Sequence, residues 1–177
     1  DRLAGYVGNL IAADSAEIHR LLEDKVFLRQ FKLTEDEALA VMLHNTYFFE
    51  WDTDAKTFFE RMVREYQKFW NEERKRKAKA HSLTPMEAII LASIVEEESN
   101  YSPERPDIAG VYINRLKAGM PLQADPTVKF ALQDFELKRI LIKHTRFNSP
   151  FNTYVISGLP PGPICTPTPD AIEAVLN

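Results

Sequence analysis

The chain has 177 residues, of which 45% are apolar and 27% are charged, a composition that excludes a disordered or fibrous protein and predicts an ordinary globular fold. Its formal net charge of −4 argues against a nucleic-acid-binding surface as the main function. The single cysteine, Cys165, has no second cysteine with which to form an internal disulfide or a shared thiolate metal site.

The first 84 residues contain no proline and show helix signals throughout. Ser15 can cap one short helix, and Thr34 followed by Glu37 has the pattern of a capping box before another. The longest predicted helix runs from about residue 55 to 76, with one stripe of apolar and aromatic side chains. We interpret this stripe as ordinary core rather than a sugar-stacking platform, and residues 1–80 as a helical support lobe.

All eleven prolines lie between Pro85 and Pro169, so the second part of the chain is expected to differ in structure from the first. Thr84, Pro85 and Glu87 together predict a strongly capped helix start. This helix stays apolar until it reaches three consecutive acids at 96–98, where the helix dipole disfavours negative charge.

Of these three acids, only Glu98 continues the centre of the apolar stripe. At 100° per residue, Leu91 lies about 20° from Glu98, whereas Glu96 lies about 160° away. A carboxyl group on an apolar face, near a helix C-terminus and beside other acids, should have a raised pKa, which is typical of a general acid. The competing interpretation is that the three acids simply form a solvated end of the helix. The local pattern alone does not decide between this and a general acid.

Further along the chain, a second helix is predicted from Pro106 to about Gly119, followed by a rigid loop at 120–127. Alternating residues at 151–156 predict a short strand, and the proline-rich segment 158–164 predicts a preformed cleft edge. A final helix is predicted to start at Thr168. We therefore expect an α+β fold, in which a mainly helical lobe packs with a small β-containing catalytic lobe at 81–177.

Five segments of this second part resemble, in the same order, the sequence blocks of the endolytic murein transglycosylases, the MltG or YceG-like family. They are LASIVEEE at 91–98, VYINRL at 111–116, GMPLQADPTV at 119–128, FNTY at 151–154 and GLPPGPI at 158–164. The resemblance is strong from Thr84 to Asn177 and weak in the helical part before it.

The resemblance implies a lytic transglycosylase that cleaves the β-1,4 bond between N-acetylmuramic acid (MurNAc) and N-acetylglucosamine (GlcNAc) in nascent peptidoglycan strands. The products would carry 1,6-anhydroMurNAc ends. It also implies that Glu98 is the single general acid/base, which protonates the leaving oxygen and then takes the proton of the sugar's own C6 hydroxyl. Such a reaction needs no metal and no organic cofactor.

The same resemblance implies a set of substrate-binding residues, with Pro160 and Pro161 shaping the edge of the cleft. The candidate residues are Asn114, Gln123, Asp125, Thr127, Asn152 and Tyr154. Asp125 is the residue most able to change the mechanism. Placed opposite Glu98 with room for water, it would permit hydrolysis; otherwise it orients substrate or braces its loop.

Two alternatives to the transglycosylase remain at this point. One is a muramidase-like hydrolase that uses Glu98, Asp125 and water. The other is a non-catalytic glycan-binding module that acts as a scaffold for cell-wall synthesis. The mass of the products separates the transglycosylase from the hydrolase, because an anhydro end is lighter than a hydrolysed end by one water.

The resemblance also bears on partners and location. It implies peptidoglycan strands as the substrate, peptidoglycan synthases as further partners and no nucleic acid. It implies anchoring in the bacterial inner (cytoplasmic) membrane, with the catalytic domain on the periplasmic or extracytoplasmic side. The family normally has an N-terminal membrane helix, a LysM-like module and further strands after the region matched here. We therefore expect this chain to be a piece trimmed at both ends.

Overall fold

The computed structural model describes residues 2–177, which fall into two compact units separated between Phe69 and Trp70. Helix accounts for 56% of the structure, and the described residues contain no β-strand. The predicted α+β fold with a small β-containing lobe is therefore wrong, and both units consist of helices joined by irregular segments. Across residues 2–177, no helix is both long enough and apolar enough to cross a bilayer.

The described part of the first unit contains four α-helices and one 3-10 turn. They are α1 (Arg2–Gly8), α2 (Ser15–Glu23), α3 (Lys25–Arg29), the turn Ala38–Val41, and α4 (Ala55–Phe69). The carboxylate of Asp14 accepts the N–H of Glu17 at 2.7 Å and caps α2, so the prediction of Ser15 as the cap is wrong by one residue. The predicted pairing of Thr34 with Glu37 is present, and a 3-10 turn follows it.

Aromatic packing holds the first unit together. The rings of Phe27, Phe31 and Phe59 lie 5.1–5.5 Å apart in edge-on or tilted arrangements. Phe59 belongs to the predicted stripe on α4 and is almost completely buried, as are Met62 and Val63 on the same helix. The interpretation of this stripe as core is confirmed.

The second unit contains the remaining helices. They are α5 (Glu72–Ala80), α6 (Pro85–Glu98), the 3-10 turn Ser102–Glu104, α7 (Arg105–Lys117), α8 (Asp125–Leu132), α9 (Ile142–Thr145) and α10 (Pro169–Leu176). The long helix predicted over residues 55–76 is therefore two helices. The side chain of Asn71 accepts the N–H of Arg74 at 2.9 Å and starts α5 as a new helix.

Helix α6 is the centre of the second unit, because α5, α7, α8 and α10 all pack against it. Its predicted capping box is confirmed: Thr84 Oγ1 accepts the N–H of Glu87 at 3.2 Å, and Glu87 Oε2 accepts the N–H of Thr84 at 2.7 Å. Every residue from 88 to 95 is buried. The helix is thus apolar on all sides and not along a single stripe, which suits a helix surrounded by others.

The segment predicted as a strand, residues 151–156, forms turns instead. The side chain of Asn152 accepts the N–H of Tyr154 at 3.0 Å, and its backbone carbonyl accepts the N–H groups of Val155 and Ile156. Asparagine stabilises turns through such local bonds, which compete with strand pairing. The alternation of polar and apolar residues was therefore misleading here.

Candidate active site

Glu98 is the last residue of α6 and lines a cavity of about 250 Å³. Its Oε2 atom accepts a hydrogen bond from the hydroxyl of Tyr112 on α7 at 3.2 Å. Burial of the carboxyl group is the largest influence and raises its pKa, and the charge of Asp125 raises it further. The hydrogen bond from Tyr112 works in the opposite direction, but the net pKa remains above the ordinary value.

Glu98 as a whole residue is nevertheless exposed to solvent. Glu98 therefore combines a carboxyl group that is partly removed from water with an open path to the cavity. This combination allows a carboxyl group to hold a proton and also to meet a ligand.

Tyr112 is 93% buried, and its hydroxyl is directed to Glu98. Burial raises the pKa of Tyr112 strongly, and the negative charge of Glu98 raises it further. The phenol therefore stays protonated at physiological pH and acts as a hydrogen-bond donor to the carboxyl group.

Asp125 lines the same cavity as Glu98 and is the first residue of α8. The hydroxyl of Tyr154 donates a hydrogen bond to Asp125 Oδ1 at 2.7 Å. Burial, this hydrogen bond and the charge of Asp125 raise the pKa of Tyr154 to about 12. The prediction that Asp125 sits in a loop is wrong, because the helix begins at this residue.

Thr127 on α8 is fully buried. Its Oγ1 is 2.8 Å from Thr153 Oγ1 and donates to the carbonyl of Ala124 at 2.6 Å. Thr153 Oγ1 in turn accepts the N–H of Ala124 at 2.9 Å. In this conformation the Thr127 hydroxyl contacts no solvent, and it fixes the backbone immediately before Asp125.

Gln123 is exposed and adopts a left-handed backbone with φ of +57°. Its side-chain oxygen accepts a hydrogen bond from Arg115 Nη2 at 2.8 Å, and Arg115 Nε donates to the carbonyl of Pro121 at the same distance. Its backbone N–H donates to the carbonyl of Thr153 at 3.0 Å. Arg115 thereby connects α7 to the segment that leads into α8.

The other predicted binding residues lie in different surroundings. Asn152 is fully buried, and its Nδ2 donates to the carbonyls of Thr145 at 3.1 Å and Phe147 at 2.7 Å. Asn114 is exposed on α7 and lines a second cavity of about 340 Å³, which does not include Glu98. Of the two predicted edge prolines, Pro160 is buried and Pro161 is exposed. The structure thus brings together Glu98, Asp125 and Tyr154, but not Asn114.

Glu96 belongs to a network of hydrogen bonds that its angular position on the helix did not predict. Glu96 Oε1 accepts a hydrogen bond from Arg105 Nη2 at 2.6 Å, and its Oε2 accepts the N–H and the hydroxyl of Thr168 at 3.0 and 2.6 Å. Arg105 also donates to the carbonyl of Ser99 at 3.4 Å. This network attaches the end of α6 to the beginnings of α7 and α10.

Ser99 ends α6 in an extended conformation. Its hydroxyl bonds to Glu104 Oε2 at 3.2 Å and accepts the N–H of Tyr101 at 3.0 Å. The side chain of Ser99 therefore stabilises the chain at the end of α6.

Sequence reasoning did not single out Tyr112, Arg115 or the basic residues of the Glu98 cavity. The direction of the Tyr112 hydroxyl depends on how α6 and α7 pack, which the sequence of α7 alone does not specify. Lys129, Lys138 and Arg139 line the cavity because the chain reverses after α8. The left-handed conformation at Gln133 that makes this reversal has no glycine to mark it in the sequence.

Comparison with known proteins finds relatives over almost the whole chain. The model of the YceG-like family matches residues 10–177. A Bacillus subtilis protein named endolytic murein transglycosylase is 33% identical over 99% of this chain, and the match covers 52% of that protein. A Streptococcus pneumoniae protein of the same name is 39% identical over 56% of this chain and 19% of its own length.

A solved structure has the same fold. The crystal structure of a putative YceG-like protein from Listeria monocytogenes superposes with a TM-score of 0.80 at 28% identity, over 99% of this chain and 61% of that one. The chain therefore spans about half the length of its Bacillus relative and about three fifths of the crystallised protein. Since the family model covers nearly all of the sequence, the chain belongs to the YceG-like family.

Proposed function

We propose that this chain carries the catalytic centre of an endolytic lytic transglycosylase that acts on nascent peptidoglycan. The bond cleaved is the β-1,4 linkage between MurNAc and GlcNAc, and the product is a 1,6-anhydroMurNAc end. The observation that carries the proposal is the carboxyl group of Glu98, whose pKa is raised by burial at the edge of an accessible cavity. The names of the relatives support the class of reaction.

In this mechanism Glu98 acts twice. Its protonated carboxyl group gives a proton to the glycosidic oxygen as the bond from that oxygen to C1 of MurNAc breaks. The resulting carboxylate then removes the proton of the C6 hydroxyl of the same sugar, and O6 attacks C1 in place of water. The carboxyl group ends the cycle protonated, so one residue is sufficient.

The remaining polar groups would assist this residue. Tyr112 holds the carboxyl group in place from the buried side, while Asp125, which lines the same cavity, accepts a hydrogen bond from Tyr154. Gln123, fixed by Arg115, lies exposed in the segment before α8, where it can contact glycan. In this proposal residues 81–177 form the catalytic lobe and residues 1–80 support it.

Cleavage of un-crosslinked glycan strands by the full-length gene product, followed by mass spectrometry, tests the proposal. We expect 1,6-anhydro ends from the wild type and none from Glu98→Gln. Glu136→Gln removes an exposed carboxylate outside the cavity and is the matched control. Anhydro products from Glu98→Gln at the wild-type rate would contradict the assignment.

A hydrolase is the second candidate, because two carboxyl groups, Glu98 and Asp125, line one cavity. In that reaction Asp125 would activate a water molecule or form a covalent intermediate. Hydrolysed ends are heavier than anhydro ends by one water, so the same measurement separates the two reactions. A protein that binds glycan but releases neither product would be the scaffold considered above.

The proposed substrate also determines the proposed location. Peptidoglycan is assembled outside the cytoplasmic membrane, so we place the catalytic lobe on the extracytoplasmic side, with the full-length protein anchored in that membrane. Peptidoglycan synthases, which make the strands, are the proposed partners. Membrane fractionation and co-purification of the full-length protein test these two statements.

A further inference from the structure

Three basic side chains lie on the same cavity as Glu98. Lys129 is on α8, one helical turn after Asp125, and Lys138 and Arg139 belong to the irregular segment that follows α8. The chain reverses at Gln133, where φ is +55°, and the N–H of Asp134 donates to the carbonyl of Lys129 at 3.1 Å. This turn brings residues 138 and 139 back to the cavity.

These three cations have no carboxylate partner within residues 2–177. Some basic residues of the same unit form such pairs, as Arg105 does with Glu96 at 2.6 Å and Arg74 with Glu173 at 2.7 Å, whereas others, such as Lys79 and Lys143, do not within the described residues. Three cationic side chains on one concave surface repel each other, and none of them is held in place by an ion pair with a carboxylate of the same cavity. Their arrangement therefore fits an anionic ligand better than a purely structural role.

Three acidic residues, Glu97, Glu98 and Asp125, line the same cavity, but within residues 2–177 none of them forms a salt bridge with these cations. Asp125 accepts its hydrogen bond from Tyr154, and Glu98 accepts one from Tyr112. Glu97 also lines the cavity, and it too lies beyond salt-bridge distance of the three cations. One cavity thus carries proton-transfer and hydrogen-bonding groups together with a separate set of positive charges.

We propose that Lys129, Lys138 and Arg139 bind a carboxylate of the peptide attached to the muramoyl sugar, so that the site prefers peptide-bearing glycan to bare glycan. The choice of substrate rests on the proposed function. Every muramoyl sugar of a nascent strand carries a lactyl-linked peptide with free carboxylates, so such a group lies near any bond that is cleaved. A pyrophosphate is also anionic but is present only at the lipid-linked end of a strand.

Binding measured without turnover tests this inference. The full-length protein carrying Glu98→Gln is titrated with lipid-free strands of one length, either with peptides or after their enzymatic removal. We expect peptide-bearing strands to bind about tenfold more tightly, as three solvent-exposed charge contacts would give. This preference should shrink as ionic strength rises from about 0.05 to 0.5 M.

A triple variant in the same background, Lys129→Gln with Lys138→Gln and Arg139→Gln, should abolish the preference. The matched control is Lys79→Gln with Lys143→Gln and Arg146→Gln, which removes the same number of lysine and arginine charges. These three residues lie outside the cavity and form no ion pair within the described chain. The control should keep the preference.

Equal affinity of the Glu98→Gln protein for the two kinds of strand overturns the inference. A loss of the peptide preference in the control variant as large as in the triple variant also overturns it. A third ligand, a peptide-free strand that keeps its lipid-linked pyrophosphate, identifies the anion. Tight binding of that strand alone would assign the cations to the pyrophosphate and overturn the peptide assignment. Cleavage by the wild type without a peptide preference contradicts only this inference, whereas a peptide preference without any cleavage contradicts only the proposed reaction.

Discussion

The hydroxyl of Tyr112 on α7 donates a hydrogen bond to the carboxyl group of Glu98 on α6, at 3.2 Å. The two helices pack directly against each other, and the phenol is buried between them and the cavity. A phenol in this position stabilises the ionised form of the carboxyl group, whereas burial and Asp125 favour the protonated form. The pKa of Glu98 is therefore set by opposing influences that single substitutions can separate.

Tyr112→Phe removes one of these influences while keeping the packing of the ring. The pKa of Glu98 should rise, because the carboxylate loses a hydrogen-bond donor. If protonated Glu98 is the acid, activity falls as pH rises through that pKa. The falling limb of kcat/KM against pH should therefore move to higher pH in the variant. Tyr101→Phe, which changes an exposed tyrosine, should leave the limb in place. A downward shift for Tyr112→Phe would contradict the hydrogen-bonding role.

Asp125→Asn should move the same limb in the opposite direction. The charge of Asp125 raises the pKa of Glu98, so its removal lowers that pKa and moves the limb to lower pH. The pKa of Tyr154 should also fall below about 12, because the hydrogen bond to Asp125 and the charge of Asp125 both raise it. Ultraviolet titration of the phenol measures the second effect. An unchanged Tyr154 titration would mean that the pair does not form in solution.

Glu98→Gln should stabilise the protein at neutral pH. The folded pKa of Glu98 is above its ordinary value of 4.5, so the wild type loses stability as pH rises from 4.5 through the folded pKa. Below pH 4.5 the carboxyl group is protonated in both states, and the two proteins should melt together. At pH 7 we expect the variant to melt about 1–3 °C higher. Calorimetry at pH 4 and pH 7 measures the difference, and a lower melting temperature at pH 7 would rule out a desolvated carboxylate.

Arg105→Ala should be among the most destabilising substitutions in the second unit. Arg105 is 7% exposed, and its removal leaves the largely buried Glu96 carboxylate without its cation. Loss of one partner of such a pair lowers the free energy of unfolding by about 3 kcal/mol or more. Lys75→Ala, which breaks an exposed pair with Glu72, should change it by less than about 1 kcal/mol. Urea unfolding of both variants gives the comparison, and similar values would show that the buried network contributes little.

Thr153→Val tests the buried hydroxyl pair before Asp125. The variant keeps the shape of the side chain but leaves the buried N–H of Ala124 without its acceptor. We expect the free energy of unfolding to fall by about 1–3 kcal/mol. Thr145→Val is the control, because the hydroxyl of Thr145 bonds only within its own short helix. Equal losses in the two variants would argue against the special role of Thr153.

Local signals predicted some of the helix starts but not all of the helices. The capping box at Thr84 and the cap at Thr168 are properties of a few adjacent residues, and the structure contains both. The strand predicted at 151–156 failed because a two-residue alternation does not distinguish a strand from turns held by a buried asparagine. A side chain that bonds to distant carbonyls leaves no periodic signal in the sequence.

The site was predictable only in part. The position of Glu98 at the end of α6 and the upward direction of its pKa follow from the sequence and agree with the structure. The neighbour that raises this pKa is, however, Asp125 on another helix, and not the adjacent acids. Tyr112 and the three cavity cations depend on helix packing and on a chain reversal, which single-sequence patterns do not specify.

The network around Glu96 also has a consequence for synthesis of the protein. Two of the groups that bond to Glu96 belong to Thr168, which lies 72 residues later in the chain. While the ribosome extends the polypeptide, the end of α6 lacks these partners until α10 has emerged. Glu98 is therefore translated long before its helix end can reach its final set of bonds, and the proposed catalytic centre is completed only after Thr168 has joined this network.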